Sequence, residues 1–359
     1  MESHANMLPV PVGIRTDAQK EKRTAAKRLF EFIRCSVESG LAILNGLAGD
    51  AVDEMESHAA IPMQVVKGGR RVRTSRAGLA AAYPGASPRI CVLVHGLCCT
   101  ERVFLDGATG ETFGTLMGRD FGYTPVYVRY NSGLAIEENG VKLAGMLNEV
   151  CRNWPVPVEE IMMVGHSMGG LVAKSACNSA ALRGSRWLKN TKKVVMLGSP
   201  QLGAPLEKFV HVACSALDAV KTPWTKAIAE FLNLRSTGIK DLRHGFFRRR
   251  RKNEREAAAP PPEGVRFYTV GAGLSRHPDS VVNLVIGDGL VPPKSALFAK
   301  GGDFYLKPEC EHVFYGMGHF KLARSRDVYH RLRAWMEDEA GFPPDPASAR
   351  SIQKDLMVL

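Results

Sequence analysis

The sequence predicts an α/β protein built on a mostly parallel, doubly wound sheet with helices on both faces. Three observations carry that prediction. Short, continuously apolar runs recur at 90–94, 161–164 and 194–197, as strands covered on both faces require. Segments with apolar residues at three- and four-residue intervals lie between them, at 113–117, 136–154 and 171–182. The alternation breaks once, over 206–262, and then resumes. At 359 residues the chain can bury one large α/β domain with appendages. The division expected is an N-terminal helical extension over 1–60, a main domain over 61–340 with a helical cap and basic loop inserted at 206–262, and a flexible tail over 341–359.

Residues 20–47 carry Leu29, Phe30, Ile33, Val37, Leu41 and Leu44 on a helical stripe broken near Gly40. Lys20, Lys22, Arg23, Lys27 and Arg28 crowd its start. Such a basic amphipathic helix either packs on its host domain, the usual case, or lies on a membrane surface. Next, Lys67-Gly68-Gly69-Arg70 joins two strand-like runs, 62–66 and 71–74, as a tight hairpin whose glycines supply positive φ. The strand 90–94 runs straight into His95-Gly96-Leu97-Cys98. A strand over 125–128 and a helix over 136–154 follow.

Ile161-Met162-Met163-Val164-Gly165-His166-Ser167-Met168-Gly169-Gly170 organises the chain. Gly165, Ser167 and Gly169 fit G-x-S-x-G between a strand and a helix, the context of a nucleophile elbow. Leu197-Gly198-Ser199-Pro200-Gln201 then ends another strand in a stiff loop. The 206–262 insertion falls over the carboxyl ends of the strands, where ligands bind in open α/β sheets, and reads as a lid. A strand over 265–271, the loop Gly287-Asp288-Gly289-Leu290-Val291-Pro292, a strand over 312–315, the loop Gly316-Met317-Gly318-His319-Phe320 and a helix over 328–336 complete the domain.

A serine needs a base within reach, and the base needs an orienting carboxylate. Asp288 projects from a glycine-flanked loop; Asp279 and Asp303 compete with it. His319 sits on a loop free to swing toward Ser167, whereas His312 alternates within a strand and His330 lies in a helix. The backbone N–H groups of Leu97 and Met168 are placed to bind an oxyanion. His95 precedes the serine and reads as the histidine that shapes its loop. With His166 and Gln201 it is expected to stand beside bound substrate. Cys98 and Cys99 occupy no elbow, so a cysteine nucleophile is disfavoured.

Val94-His95-Gly96-Leu97, Gly165-His166-Ser167-Met168-Gly169-Gly170, Leu197-Gly198-Ser199-Pro200 and Gly287-Asp288-Gly289-Leu290-Val291-Pro292 together resemble the α/β-hydrolase superfamily. Within it the chain resembles the bacterial lipase and GPI inositol-deacylase-like branch, over about residues 88–337. The resemblance implies Ser167 as nucleophile, Asp288 as acid, His319 as base, and oxyanion donors at Leu97 and Met168. It implies a carboxylic ester substrate, small-molecule or lipid, cleaved through an acyl-enzyme, and no metal or cofactor. Thioesters and amides would use the same machinery. Gln201 stands where relatives often carry histidine, a departure that touches the acyl pocket rather than the triad.

Net charge is +12, with basic groups concentrated at 67–76 and 248–252. Neither group carries the pattern of a nucleic-acid module; both read as solvated loops, with attraction to an anionic membrane as the sharper alternative. The eight cysteines show no C-x-x-C pair, so zinc ligation has no spacing support. The N-terminus lacks an apolar signal core, and a reducing, cytoplasmic location with peripheral membrane contact is expected. The competing classes are a non-catalytic lipid-binding module on the same fold and a membrane-surface scaffold.

Overall fold

A computed structural model of the chain describes residues 38–39, 41–42, 45–46, 60–203, 241–242, 262–297 and 310–340. Eight strands form one sheet: β1 (Gln64–Lys67), β2 (Arg70–Val72), β3 (Arg89–Val94), β4 (Thr124–Arg129), β5 (Glu160–His166), β6 (Thr191–Leu197), β7 (Arg266–Gly273) and β8 (Glu311–Tyr315). Their order is β2-β1-β4-β3-β5-β6-β7-β8. β1 runs antiparallel to both its neighbours, and every other pairing is parallel. With helices on both faces, this is the α/β-hydrolase fold.

The apolar runs are continuous because both faces of the sheet are covered. Ile90, Val92, Val94, Ile161, Met163, Val194 and Met196 enter one core. Their strand neighbours Cys91, Leu93, Met162, Val164, Val195 and Leu197 enter the other. The period of two along each strand thus divides one hydrophobic run between two cores. Helices α3 (Ile136–Asn153) and α4 (Met168–Leu182) cover the first face. They approach closely at Gly140, where a Cβ would stand 2.2 Å from Ser175 Oγ. On the second face lie α2 (Phe113–Phe121) and the closing helix α8 (Arg326–Ala340).

The Gly68-Gly69 turn has φ of 56° and 72°, as the hairpin reading requires. One strand is shorter than expected. β2 ends at Val72, and Ser75 then caps α1 (Arg76–Ala82) by accepting from the Gly78 N–H. That helix has a single large apolar side chain, the buried Leu79, so it shows no periodicity in the sequence. Three more short α-helices are α5 (Trp187–Asn190), α6 (Val281–Val285) and α7 (Pro293–Ala296), and 3-10 turns run over Glu101–Phe104 and His319–Ala323.

Of the amphipathic segment expected at 20–47, the described residues Glu38, Ser39, Leu41, Ala42, Asn45 and Gly46 are helical. The rest lies outside the described residues, as do the basic run at 248–252 and the tail at 341–359. Of the expected cap over 206–262, only Asp241, Leu242 and Pro262 are described. Leu242 is fully buried in the first core. Asp241 accepts from the Ile136 N–H at 2.9 Å and so caps α3, which has no side-chain cap of its own. Among the described residues, no helix is long and apolar enough to cross a membrane.

Candidate active site

Ser167 sits between β5 and α4 with φ 55° and ψ −125°. A non-glycine residue held there stores about 1–3 kcal/mol of strain. Three contacts hold it. Its N–H donates to the Leu197 carbonyl at 2.8 Å. A Cβ on Gly165 would stand 2.4 Å from backbone atoms of Gly170, and one on Gly169 would stand 2.2 Å from the Val94 carbonyl oxygen. Glycine at both positions lets α4 start against the ends of β3 and β5 at backbone contact.

Asp288 lies between Gly287 and Gly289, whose φ values are 65° and 107°. Its Oδ1 accepts from the N–H groups of Leu290 at 3.0 Å and Val291 at 2.8 Å. Its Oδ2 takes the Nδ1–H of His319 at 2.7 Å, and the His319 N–H donates to the Asp288 carbonyl at 2.9 Å. Carboxylate and imidazole are both buried. The Nδ1–H bond selects the tautomer that leaves a lone pair on Nε2. That Nε2 is buried and makes no hydrogen bond. Gly198, at φ 62°, underlies the ring: a Cβ there would be 3.1 Å from Cε1. Ser167, bonded to Leu197, and His319, resting on Gly198, thus meet the same corner of the chain.

The competing residues lie elsewhere. Asp279 and His330 are exposed. His312 is on β8, its ring edge-on to Phe314, and burial lowers its pKa to about 4. Asp303 lies outside the described residues.

The loop after β3 passes directly beside the serine. A Cβ on Gly96 would stand 2.9 Å from Ser167 Cβ. Cys98 has φ 57°; with Ser167 it makes up the non-glycine residues of positive φ among those described. Neither the Leu97 nor the Met168 N–H donates to a backbone group among the described residues. The loop is tied down from below. His95 donates its Nδ1–H to the Gly96 carbonyl at 2.9 Å and turns Nε2 to the Tyr130 N–H at 3.4 Å. Tyr130 stacks on that ring and donates its hydroxyl to the His95 carbonyl at 2.8 Å. Ser132 Oγ accepts from the Cys98 N–H at 3.0 Å.

A second brace comes from the N-terminal helical residues. A Cβ on Gly46 would stand 2.4 Å from Cys98 Sγ and 2.9 Å from Cys98 N. Arg129, at the end of β4, is buried between two carboxylates: Glu101 at 2.5 Å and Glu38 at 3.3 Å. The sequence reading missed Ser132, Tyr130, Arg129, Glu101 and Gly46. For the first three a signal existed: Arg129-Tyr130-Asn131-Ser132-Gly133 is a polar, turn-forming run at the carboxyl end of a strand, where α/β sites assemble.

His95 and His166 do not line an opening, contrary to the expectation that both stand beside substrate. Both are fully enclosed. Burial holds His95 near a pKa of about 4. Burial, reinforced by the adjacent His319, holds His166 well below its ordinary value. His166 bonds the His319 carbonyl through Nε2 at 3.1 Å, and the two rings lie 4.8 Å apart. It therefore buttresses His319. Gln201 is folded back on β6: its N–H donates to the Ser295 carbonyl at 2.7 Å and its amide to Met196 Sδ at 3.0 Å. Among the described residues, no group of three or more His, Cys, Asp or Glu could hold a metal ion.

Residues 145–272 match the model of a protein family described as the PGAP1-like alpha/beta domain. That span contains Ser167 and runs from α3 into β7. No curated protein matches the chain. Several solved structures are similar to it. A mature lipase from Bacillus licheniformis is 18% identical with a TM-score of 0.44, the match covering 70% of this chain and 92% of that one. A thioesterase from the prodiginine pathway of Streptomyces coelicolor is 16% identical with a TM-score of 0.39, covering 71% of this chain and 87% of that one. Lipase 1 from Pelosinus fermentans is 11% identical with a TM-score of 0.41, covering 71% and 99%.

Proposed function

From an α/β-hydrolase fold with a PGAP1-like segment at its centre, we propose that this chain is a serine hydrolase that cleaves carboxylic esters through an acyl-enzyme. One observation carries the reading: a strained serine follows His166, whose ring lies 4.8 Å from that of a buried histidine with its Nδ1 bound to a buried aspartate and its Nε2 without a partner. In the first half-reaction Ser167 Oγ attacks the ester carbonyl while His319 Nε2 takes its proton. Asp288 stabilises the imidazolium, and the Leu97 and Met168 N–H groups bind the oxyanion. The C–O bond to the alcohol then breaks, and His319 returns the proton to the leaving oxygen. Water repeats the sequence to free the acid and regenerate Ser167.

The substrate in this reading is a small-molecule or lipid ester, with thioesters and amides open to the same chemistry. Residues 61–340 carry the catalytic domain, and the protein works in the cytoplasm with peripheral contact to anionic membrane.

Fluorophosphonate labelling tests the proposal, using wild type, Ser167→Ala and His319→Ala, each checked for cooperative melting. Wild type should label and hydrolyse a soluble short-chain ester. Ser167→Ala should do neither, and His319→Ala should lose at least ~10⁴-fold in kcat. Equal labelling of Ser167→Ala would move the nucleophile elsewhere. A folded wild type that neither labels nor turns over would leave the lipid-binding module as the reading.

A further inference from the structure

Helix α6 inverts the usual burial of a surface helix, which turns its apolar residues inward. Its buried member is the polar Asn283, 1% exposed, while Val281, Val282 and Leu284 are exposed by 71%, 41% and 53%. Asn283 works as a peg. Its Oδ1 accepts from the Ser275 N–H at 2.9 Å, and its Nδ2 donates to the carbonyls of Ser275 at 3.1 Å and His277 at 2.8 Å. A Cβ on Gly273 would stand 2.4 Å from that Oδ1, so β7 is moulded to the amide. The apolar side chains are thus held outward by a rigid polar anchor.

The face extends to the candidate active site. Leu274, 46% exposed, donates its N–H to the Gly287 carbonyl at 2.8 Å and lies against Gly289 and Gly318, the neighbours of Asp288 and His319. Phe320, 38% exposed, sets its ring edge-on to that of His319 at 5.6 Å. Exposed cations adjoin these residues: Arg276, two positions from Leu274 and packed on Gly316, and Lys321, next to Phe320, with Lys294 and Arg324 also exposed on flanking segments. An apolar knob with a cationic rim matches an anionic lipid surface, which offers hydrocarbon behind a layer of negative headgroups.

We propose that the face formed by Val281, Val282, Leu284, Leu274 and Phe320 docks on anionic lipid bilayers and sets the acid–base side of the site against the interface. The proposal deepens the hydrolase reading by naming the surface that delivers a lipid substrate, while docking itself does not require catalysis.

The test uses the full chain and vesicles of phosphatidylcholine alone or mixed with phosphatidylglycerol, with cosedimentation at low and at physiological salt. Wild type should bind the mixed vesicles and retain binding at physiological salt. Val281→Ser and Leu284→Ser should each weaken that salt-resistant binding about tenfold, the effect of withdrawing one apolar side chain from hydrocarbon. Both should hydrolyse a soluble short-chain ester at the wild-type rate. Arg276→Gln and Lys321→Gln should each cost about fivefold on mixed vesicles and nothing on phosphatidylcholine. Val281→Trp supplies an independent reading: its emission should shift to the blue on mixed vesicles. Wild-type binding by the serine variants, an unshifted Val281→Trp on bound protein, or no vesicle binding by wild type would each overturn the proposal. A wild type that docks but cleaves no soluble ester would leave docking standing and remove the hydrolase reading.

Discussion

His95 should make this fold acid-labile, and removing it should flatten the response. Its ring is fully enclosed, with Nδ1 donating to the Gly96 carbonyl and Nε2 facing the Tyr130 N–H. A proton on Nε2 would confront that N–H directly, and burial disfavours the charge. Its pKa falls accordingly from 6.5 to about 4, with Glu101 and Arg129 acting in opposite senses as smaller influences. A histidine whose folded pKa is lowered keeps its full contribution above the unfolded value. That contribution is lost as the pH drops through 6.5 toward 4, because the unfolded chain takes up the proton first. At pH 5 the loss is about 2 kcal/mol from this one group, rising to about 3 kcal/mol below pH 4. His166 and His312, also lowered by burial, push in the same direction. Urea unfolding of wild type and His95→Gln at intervals between pH 7 and pH 4 measures the effect. The variant should be less stable at pH 7, and its curve should be shallower by about one proton, or ~1.4 kcal/mol per pH unit at the steepest point. Parallel curves would refute the reasoning, since they would mean that His95 takes up no more protons unfolded than folded.

Three further outcomes follow from the geometry. Asp288→Asn keeps the acceptor for the Leu290 and Val291 N–H groups but turns an NH₂ toward His319 Nδ1. The imidazole should switch tautomer, and kcat on a soluble ester should fall about 10⁴-fold with KM little changed; a loss under tenfold would remove Asp288 from the orienting role. Gly165→Ala puts a methyl 2.4 Å from rigid backbone and should destabilise the fold by about 3 kcal/mol. Gly145→Ala, with nothing within 4 Å on the same sheet face, should instead stabilise α3 by about 0.5–1 kcal/mol, and the two melts together check the packing under the elbow.

The parts legible in the sequence were those whose signal is local. β3, β5 and β6 are apolar without interruption because each strand feeds two cores, and the glycines around Ser167 mark backbone contacts that only glycine permits. Asp288 and His319 were legible as loop residues, and the structure brings them together at 2.7 Å. What stayed hidden depends on distant partners. Arg129 reads as an ordinary strand-end cation until Glu101 and Glu38 close on it. Helix α1 has too few large apolar residues to show a period. In α6 the period misleads, because the residue that turns inward is an asparagine. His95 was legible as the histidine that shapes the loop after β3, whereas its full enclosure and that of His166 were not, since sequence position does not reveal that every face of a ring is covered.

The seam between Gly46 and Cys98 has a consequence for how the protein is handled. A fragment beginning at residue 61 keeps all eight strands together with Ser167, Asp288 and His319. It loses the wall behind Cys98, the residue that bears positive φ without being glycine, and one of the two carboxylates on Arg129. Loss of that end would therefore open the loop beside Ser167 and leave buried Arg129 with a single carboxylate, lowering the melting point. Intact mass is therefore the quality measure for a preparation of this chain.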